Sequence, residues 1–369
     1  MGGLSAVKFD LSYYRGKRVL VTGHTGFKGA WLCRMLMLAG AEVAGYALDP
    51  PTDPSLFSLL QLGTALRSER GDIADLAHLQ QLFDAFRPEI VLHLAAQPLV
   101  RESYRSPVET YRTNVLGTVH LLECVRQCGS VRSVVNVTTD KVYRNNEWCW
   151  GYRENDPLDG YDPYSNSKSC SELVSRCYRD CFFTEQDGKI RVPLSTVRAG
   201  NVIGGGDFAA DRIIPDCVRA AIRGERIVIR NPQSSRPFQH VLEPLYAYLM
   251  IAAAQAQEPT LAGSYNVGPA GGACTRIAAL ADGFSAYWGG GLSSTVKPDA
   301  GPHEANELRL DCAKLQSVFG WQPAWEIDTA LRYTAEWYRG WHSGAELRAL
   351  TDRQIQEYLE VQHNGSMEG

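Results

Sequence analysis

The sequence predicts an α/β protein: a doubly wound parallel sheet with a smaller second domain interleaved with it. Three observations predict it. Short β-branched apolar runs alternate with longer segments of helical spacing through the first 200 residues, the pattern of βαβ units. The runs are apolar at successive positions, so both faces of each strand need a covering helix. A glycine-rich turn, GHTGFKG (23–29), joins the first run to the first helical segment.

The strand runs are KRVLVTG (17–23), EVAGYAL (42–48), EIVLHLAA (89–96), SVVNVTT (133–139) and LSTVRAG (194–200). Helical spacing lies between them, as at Ala30, Trp31, Met35 and Leu38, and at Val115, Val119, Leu122 and Val125. After about residue 200 the pattern turns Gly-rich, polar and irregular, with loop-like NPQSSRPFQH and GPAGGACT. LDCAKLQSVFGW (310–321) reads as a helix capped by Asp311 and ended by Gly320. The expected division is a dinucleotide-binding domain over 11–200 with part of 240–268, a substrate domain over 201–239 and 269–340, and an extension over 341–369 that ends in a frayed tail.

The chain has 44% hydrophobic and 21% charged residues and a net charge of -4. That is ordinary soluble composition without a basic stripe, which argues against nucleic acid as partner. No apolar stretch is long enough to span a bilayer, and the N-terminus lacks a secretory signal, so no membrane partner and a cytoplasmic location are expected. Met-Gly-Gly-Leu-Ser-Ala has Ala6 where myristoylation wants Ser or Thr. Ten cysteines include no CxxC pair; Cys33, Cys124, Cys177 and Cys181 sit in apolar helical patterns and are expected as buried thiols. His240 and His303 lack metal-site spacing, and no metal is expected.

The turn Gly23, Gly26, Gly29 follows a strand and opens a helix, the context in which backbone N–H groups and a helix N-terminus receive a pyrophosphate. Asp49, near the end of the second strand, is placed for the adenosine ribose and against a 2′-phosphate. No arginine immediately follows it, which leans towards NAD over NADP. A loop aspartate before two prolines would look the same. Asp72 in GDIAD meets an adenine edge or merely caps the helix that begins near Asp75.

Tyr164 and Lys168 are spaced i, i+4 and share a helix face. An ammonium near a phenol favours the phenolate and lowers its pKa from about 10. Such a tyrosine takes the proton of an alcohol whose hydride leaves for a nicotinamide. Upstream, TTDKVY (138–143) adds Thr139 and an adjacent acid and base, Asp140 and Lys141. Towards the substrate end, Asn201 is placed for a phosphate or sugar hydroxyl, Arg236 for a diphosphate, and Gln97 for a hexose; Arg212 and Arg309 are weaker candidates.

The glycine triplet, HLAAQ (93–97), TNVLGT (113–118), Thr139 and Tyr164/Lys168 resemble the extended short-chain dehydrogenase/reductase family. Within it, TTDKVY, GYRENDPLDGYDPYSNSK, VRAGNVIGGGD, RIIPD, IRNPQSSRPFQHVLEP and HEANELRLDCAKLQSVFGWQP resemble the CDP-glucose 4,6-dehydratases, over about residues 16–340. The resemblance implies a Rossmann sheet and a tightly held NAD touching Gly23, Thr25, Gly26, Phe27, Gly29, Asp49, Asp72, Ile73, Ala95, Ala96, Tyr164 and Lys168. It implies CDP-glucose as substrate and a place in making deoxysugars for bacterial surface polysaccharides such as O-antigen. It also implies a homodimer or homotetramer, through helices carrying TVHLLECVRQC and CSELVSRCYRDCFF. The implied chemistry is C4 oxidation, loss of water across C5 and C6, and hydride return to C6. Thr139, Tyr164 and Lys168 serve the oxidation; Asp140 as acid and Lys141 as base serve the elimination, which requires a protonated Asp140 and a neutral Lys141. Relatives acting on dTDP-glucose carry glutamate in place of Lys141, and relatives more often have glycine in place of Ser169. Two rivals stay open: an epimerase on the same scaffold, which needs no acid–base pair beside Thr139, and a dinucleotide-binding regulator, which has no need of Tyr164 or Lys168.

Overall fold

The computed structural model describes residues 9–289, 292–297 and 307–365. His303, the HEAN start of the last motif (303–306), the possible acylation site at the N-terminus and the end of the tail lie outside the described residues.

Seven parallel strands form the central sheet: β1 Arg18–Thr22, β2 Glu42–Ala47, β3 Arg67–Arg70, β4 Ile90–His93, β5 Ser133–Val137, β6 Leu194–Ala199 and β7 Ser264–Val267, in spatial order β7-β6-β5-β4-β1-β2-β3. Each of the five apolar runs forms a strand. Alternation explains their composition: Val19 and Val21 point into one apolar layer and Leu20 into the other. The first layer holds Trp31 and Leu36 of helix α1 (Phe27–Leu38); the second holds Leu79 and Phe83 of α2 (Leu76–Phe86) and Leu121 and Leu122 of α3 (Gly117–Gln127). Helix α4 (Pro163–Cys181) lies beside α3 and leads back to β6.

The two edge strands were not visible as apolar runs. β3 reads RSER and pairs on one side only, so nothing forces it to be apolar. β7 is four residues long and lies between polar loops. The segment between β6 and β7 carries α5 (Ile213–Arg223) and the fully packed α6 (Leu242–Gln257); after β7 come α7 (Ile277–Trp288), α8 (Ile327–Ser343) and α9 (Leu347–Gly365). Two short pairings stitch these stretches together. Ser294–Val296 lies parallel to Ile227–Ile229, and Thr275–Arg276 antiparallel to Ser235–Arg236. The chain leaves the sheet at β6, builds outside it, returns as β7 and leaves again.

Some expectations need correction. The helix read over 310–321 spans Ala313–Phe319 with Cys312 as its N-cap; Asp311 accepts from Ala313 N at 2.8 Å, and Gly320 closes the helix in the left-handed region as expected. Cys33 and Cys124 are buried, whereas Cys177 and Cys181 are exposed with Leu173 on one face of α4. The opposite face, with Ser171 and Ser175, meets the sheet through Asn136 of β5. Polar side chains, not the apolar stripe, face inward there. No helix among the described residues is long and apolar enough to cross a membrane.

Candidate active site

The C-terminal ends of the strands open into one large cavity of about 1780 Å³. A single drug-sized ligand occupies roughly 300–1,000 Å³, so there is room for two ligands. One end is walled by Gly23, Thr25, Gly26, Phe27, Asp49 and Asp72; the other by Asn201, Arg212, Arg230 and Arg236. Thr139, Lys141, Tyr164 and Lys168 also line it, as do Ile73, Ala95 and Ala96.

The glycine turn is shaped by close approach. Gly23 has φ +76°, and a Cβ there would come within 2.8 Å of Ala95 N. A Cβ on Gly29 would lie 2.1 Å from Gly23 O. Gly26 is the N-cap of α1 and has no side chain to cap it, so the first N–H groups of the helix are open to a ligand. These features fit the pyrophosphate of a dinucleotide. Thr25 ties the turn to the loop after β2 by donating from Oγ1 to Leu48 O at 2.9 Å.

Asp49 is on the cavity wall, but its carboxylate has a partner: Arg70 Nε, 3.0 Å away on the neighbouring β3. Asp72 accepts from Ala74 N at 2.9 Å and pairs with Arg112 at 3.0 Å. The cap of α2 is Asp75, which accepts from His78 N.

The proton-handling groups converge from two elements. Asp162 caps α4 by accepting from Ser165 N, and Pro163 takes the first helical position, which fixes Tyr164 in the first turn. Lys168, one turn on, is 5% exposed and donates from Nζ to Val137 O at the end of β5, at 3.1 Å. Burial pushes Lys168 down to about 8, against the pull of Glu172. Ser169 fits without crowding: its Oγ donates to Val142 O at 2.8 Å and accepts from Gly160 N at 3.1 Å.

Two expectations about charge are overturned. Burial holds the Tyr164 phenol above its ordinary value, outweighing the opposing pull of Lys141 and of its hydrogen bond with Thr139. Lys168 is turned towards a backbone carbonyl, and the cation that favours the phenolate is Lys141. Nor is Lys141 driven neutral. Burial alone would lower it, but Asp140, then Tyr164, outweigh burial and hold it above its ordinary value. Lys141 Nζ donates to Asp140 Oδ1 at 2.9 Å and to Asn201 Oδ1 at 3.3 Å. Thr139 Oγ1 donates to the same Asp140 Oδ1 at 2.9 Å. Asp140 is fully buried, and its second oxygen, Oδ2, has no partner.

At the substrate end, Arg236 is 7% exposed on the wall, and Arg212 pairs with Asp207 at 2.8 Å. Arg309 pairs with Glu307 away from the cavity. Gln97 is not on the wall. Its amide donates to Leu99 O at 3.1 Å and Thr110 Oγ1 at 2.9 Å and accepts from Leu99 N at 2.6 Å, so it braces its own loop. His240 is buried between Trp31 and Trp325 as a packing residue.

Sequence reasoning missed three residues. Lys28, between Gly26 and Gly29 of the glycine turn, lines the cavity; burial first, then Arg212, pushes it down to about 7. Arg70 was hidden in an edge strand with no apolar signal. Glu172, the i+4 neighbour of Lys168, is buried and accepts from Thr138 Oγ1 at 2.5 Å, Thr196 Oγ1 at 2.6 Å and Arg198 at 2.8 Å. Its helical spacing from Lys168 was the available signal. Among the described residues, no cluster suits a metal ion.

Comparison with known proteins adds four findings. A family model described as GDP-mannose 4,6 dehydratase matches residues 20–334. A CDP-glucose 4,6-dehydratase of Salmonella typhimurium is 48% identical over 95% of this chain and 98% of its own. A dTDP-glucose 4,6-dehydratase of Bacillus anthracis, solved with NAD, superposes with a TM-score of 0.75 at 20% identity, covering 90% of this chain and 100% of its own. A Thermus thermophilus UDP-glucose 4-epimerase, also solved with NAD, gives 0.75 at 24% identity, covering 88% of this chain and 99% of its own. Dehydratases and epimerases share this fold.

Proposed function

The chain belongs to the GDP-mannose 4,6 dehydratase family, and from that premise we propose that it is an NAD-dependent CDP-glucose 4,6-dehydratase, a hydro-lyase forming CDP-4-dehydro-6-deoxyglucose and water. The observation that carries this reading beyond a shared fold is the Asp140–Lys141 pair beside Thr139 and Tyr164, in which the carboxylate is fully buried and the ammonium partly exposed on the cavity wall. Epimerisation at C4 needs only the Thr139, Tyr164 and Lys168 set; elimination needs a further acid and base.

NAD, when bound against Gly23, Gly26 and Gly29, supplies the reversible hydride exchange, from sugar C4 and back to C6. The side chains of this protein move the protons. Tyr164 takes the O4 proton, with Thr139 hydrogen-bonded to its phenol and the Lys141 ammonium favouring the phenolate. Lys168, anchored on Val137 O, positions the nicotinamide ribose. The new C4 ketone acidifies the C5 proton. Lys141 takes that proton, Asp140 protonates the departing C6 hydroxyl, and the protonated Lys141 returns a proton to C5 as the hydride goes to C6.

In the resting site the ion pair keeps Lys141 charged, and so opposes both roles until a proton moves within it. One proton passing along the 2.9 Å hydrogen bond from Lys141 Nζ to Asp140 Oδ1 yields a neutral amine and a carboxylic acid. Closure of the cavity around substrate favours that neutral pair, because desolvation penalises both charges. Arg236 and Arg212 grip the diphosphate, and Asn201, which already meets Lys141, orients the sugar. We further propose a cytoplasmic homo-oligomer, without membrane or nucleic-acid partner, that supplies deoxysugar precursors for surface polysaccharide. The exposed Leu173, Cys177 and Cys181 of α4 support the oligomer.

The test is incubation with CDP-, UDP- and dTDP-glucose in deuterated water, with and without added NAD, followed by mass spectrometry and NMR. Water loss from CDP-glucose with deuterium at C5 is the expected result. Unchanged mass with inverted C4 would instead establish an epimerase.

A further inference from the structure

The register of the sheet brings together two residues of opposite meaning. Arg70 is the last residue of β3 and pairs with Ala47, the last residue of β2. Asp49 lies two residues beyond Ala47 and lines the cavity beside the glycine turn. Neighbouring strands lie about 4.8 Å apart, so a long side chain from the end of β3 reaches the loop after β2. It does so here: Arg70 Nε donates to Asp49 Oδ1 at 3.0 Å.

The guanidinium is held from more than one side. It stacks over Phe57 at 4.9 Å, a ring that is itself 4% exposed, and donates from Nη1 to Ser68 Oγ at 3.1 Å. Phe57 also packs edge-on against His24 of the glycine turn. Arg70 itself does not line the cavity; it is a partly exposed arginine at the rim, beside the lining residues Asp49 and Gly71, held by Phe57 and Ser68.

In this position of a dinucleotide site, a carboxylate receives the ribose hydroxyls and repels a 2′-phosphate, while an arginine accommodates that phosphate. The protein has both, bonded to each other. We propose that Asp49 and Arg70 form a paired cofactor selector: Arg70 orients Asp49 for the adenosine ribose, and the Asp49 carboxylate alone keeps Arg70 from receiving a 2′-phosphate. The preference for NAD over NADP then hangs on one carboxylate. The guanidinium needed for the alternative is already in place, prepared to bind phosphate through two parallel N–H donors. This inference rests on the reading of the cavity as an NAD site.

The test measures binding of NAD and of NADP by isothermal titration calorimetry to the purified protein, without substrate or turnover. The variants are Asp49→Ser, Arg70→Ala and the double substitution. The NADP/NAD ratio of dissociation constants should fall at least 10-fold in Asp49→Ser relative to the unaltered protein. The double variant should lose that gain, and the gain should shrink as salt is raised. A ratio unchanged by Asp49→Ser, or a gain that survives loss of Arg70, would overturn the proposal. Failure of the unaltered protein to bind NAD at all would overturn the cavity reading instead, which separates the two.

Discussion

At the scale of single residues, the site is governed by which charges burial permits. Asp140 has no exposure, yet only one of its oxygens is partnered, and that one by two donors. A buried acceptor left open is costly; Asp140 does not itself line the cavity, but its neighbours Thr139 and Lys141 do. If Lys141 is the C5 base, Lys141→Ala separates the half-reactions. Absorbance should still report cofactor reduction on adding CDP-glucose, whereas C5 exchange with deuterated water and water loss should fall by 10²-fold or more, the size usual for a lost acid–base group. Turnover equal to the unaltered protein would remove Lys141 from the chemistry. Loss of the first hydride step as well would mean that Lys141 serves Tyr164, whose phenol it also influences.

At the scale of elements, α6 is tied to the C-terminal helices by one buried acid. Glu243, in its first turn, accepts from Trp325 N at 2.7 Å, Ala324 N at 3.0 Å and Tyr358 Oη of α9 at 2.8 Å. Replacing it with alanine leaves these donors unsatisfied beside a cavity and should cost about 2–4 kcal/mol, read as a lowered denaturation midpoint. The pH dependence has a definite sign. Burial outweighs the three donors and pushes Glu243 from 4.5 up to about 7, so the folded state binds its proton more tightly than the unfolded state. The resulting stabilisation is complete below 4.5 and fades as pH rises through 7. Relative to Glu243→Gln, the unaltered protein should gain up to about 3 kcal/mol on acidification across that window; parallel profiles would contradict it. This tie was illegible in the sequence. The motif FQHVLEP reads as helix entry, and nothing local announces that Trp325 and Tyr358 return to Glu243. The strands, the glycine turn and the Tyr164–Lys168 spacing were legible because each is written in contiguous residues. The Arg70–Asp49 pair arises from strand register, the bracing role of Gln97 from contacts around its own loop that no sequence pattern announces, and the charge on Lys141 from the balance of burial against its partners.

At the scale of the whole molecule, the two helices that cover one end of the sheet behave differently. On α3, Leu121, Leu122 and Val125 bury against the sheet, so that stripe is fully used within one chain. On α4 the inward face is serine-rich and bonded to Asn136, and the apolar stripe of Leu173, Cys177 and Cys181 points away. Leu173 is 52% exposed and Leu116, just before α3, 45% exposed. A helix that turns its apolar side out and its serines in is built to meet another surface, and in a closed symmetric pair the same stripe meets its own copy. If this stripe joins the proposed homo-oligomer, Leu173→Glu should convert it to monomers in light scattering coupled to size exclusion. Circular dichroism should not change, because Leu173 makes little use of its own core. The consequence for the site is physical: Leu173 sits on the helix that carries Tyr164, Lys168 and Glu172, so loosening its outer face should raise the KM for CDP-glucose more than it lowers the denaturation midpoint. A variant that elutes as before would show that the stripe is not the contact between copies.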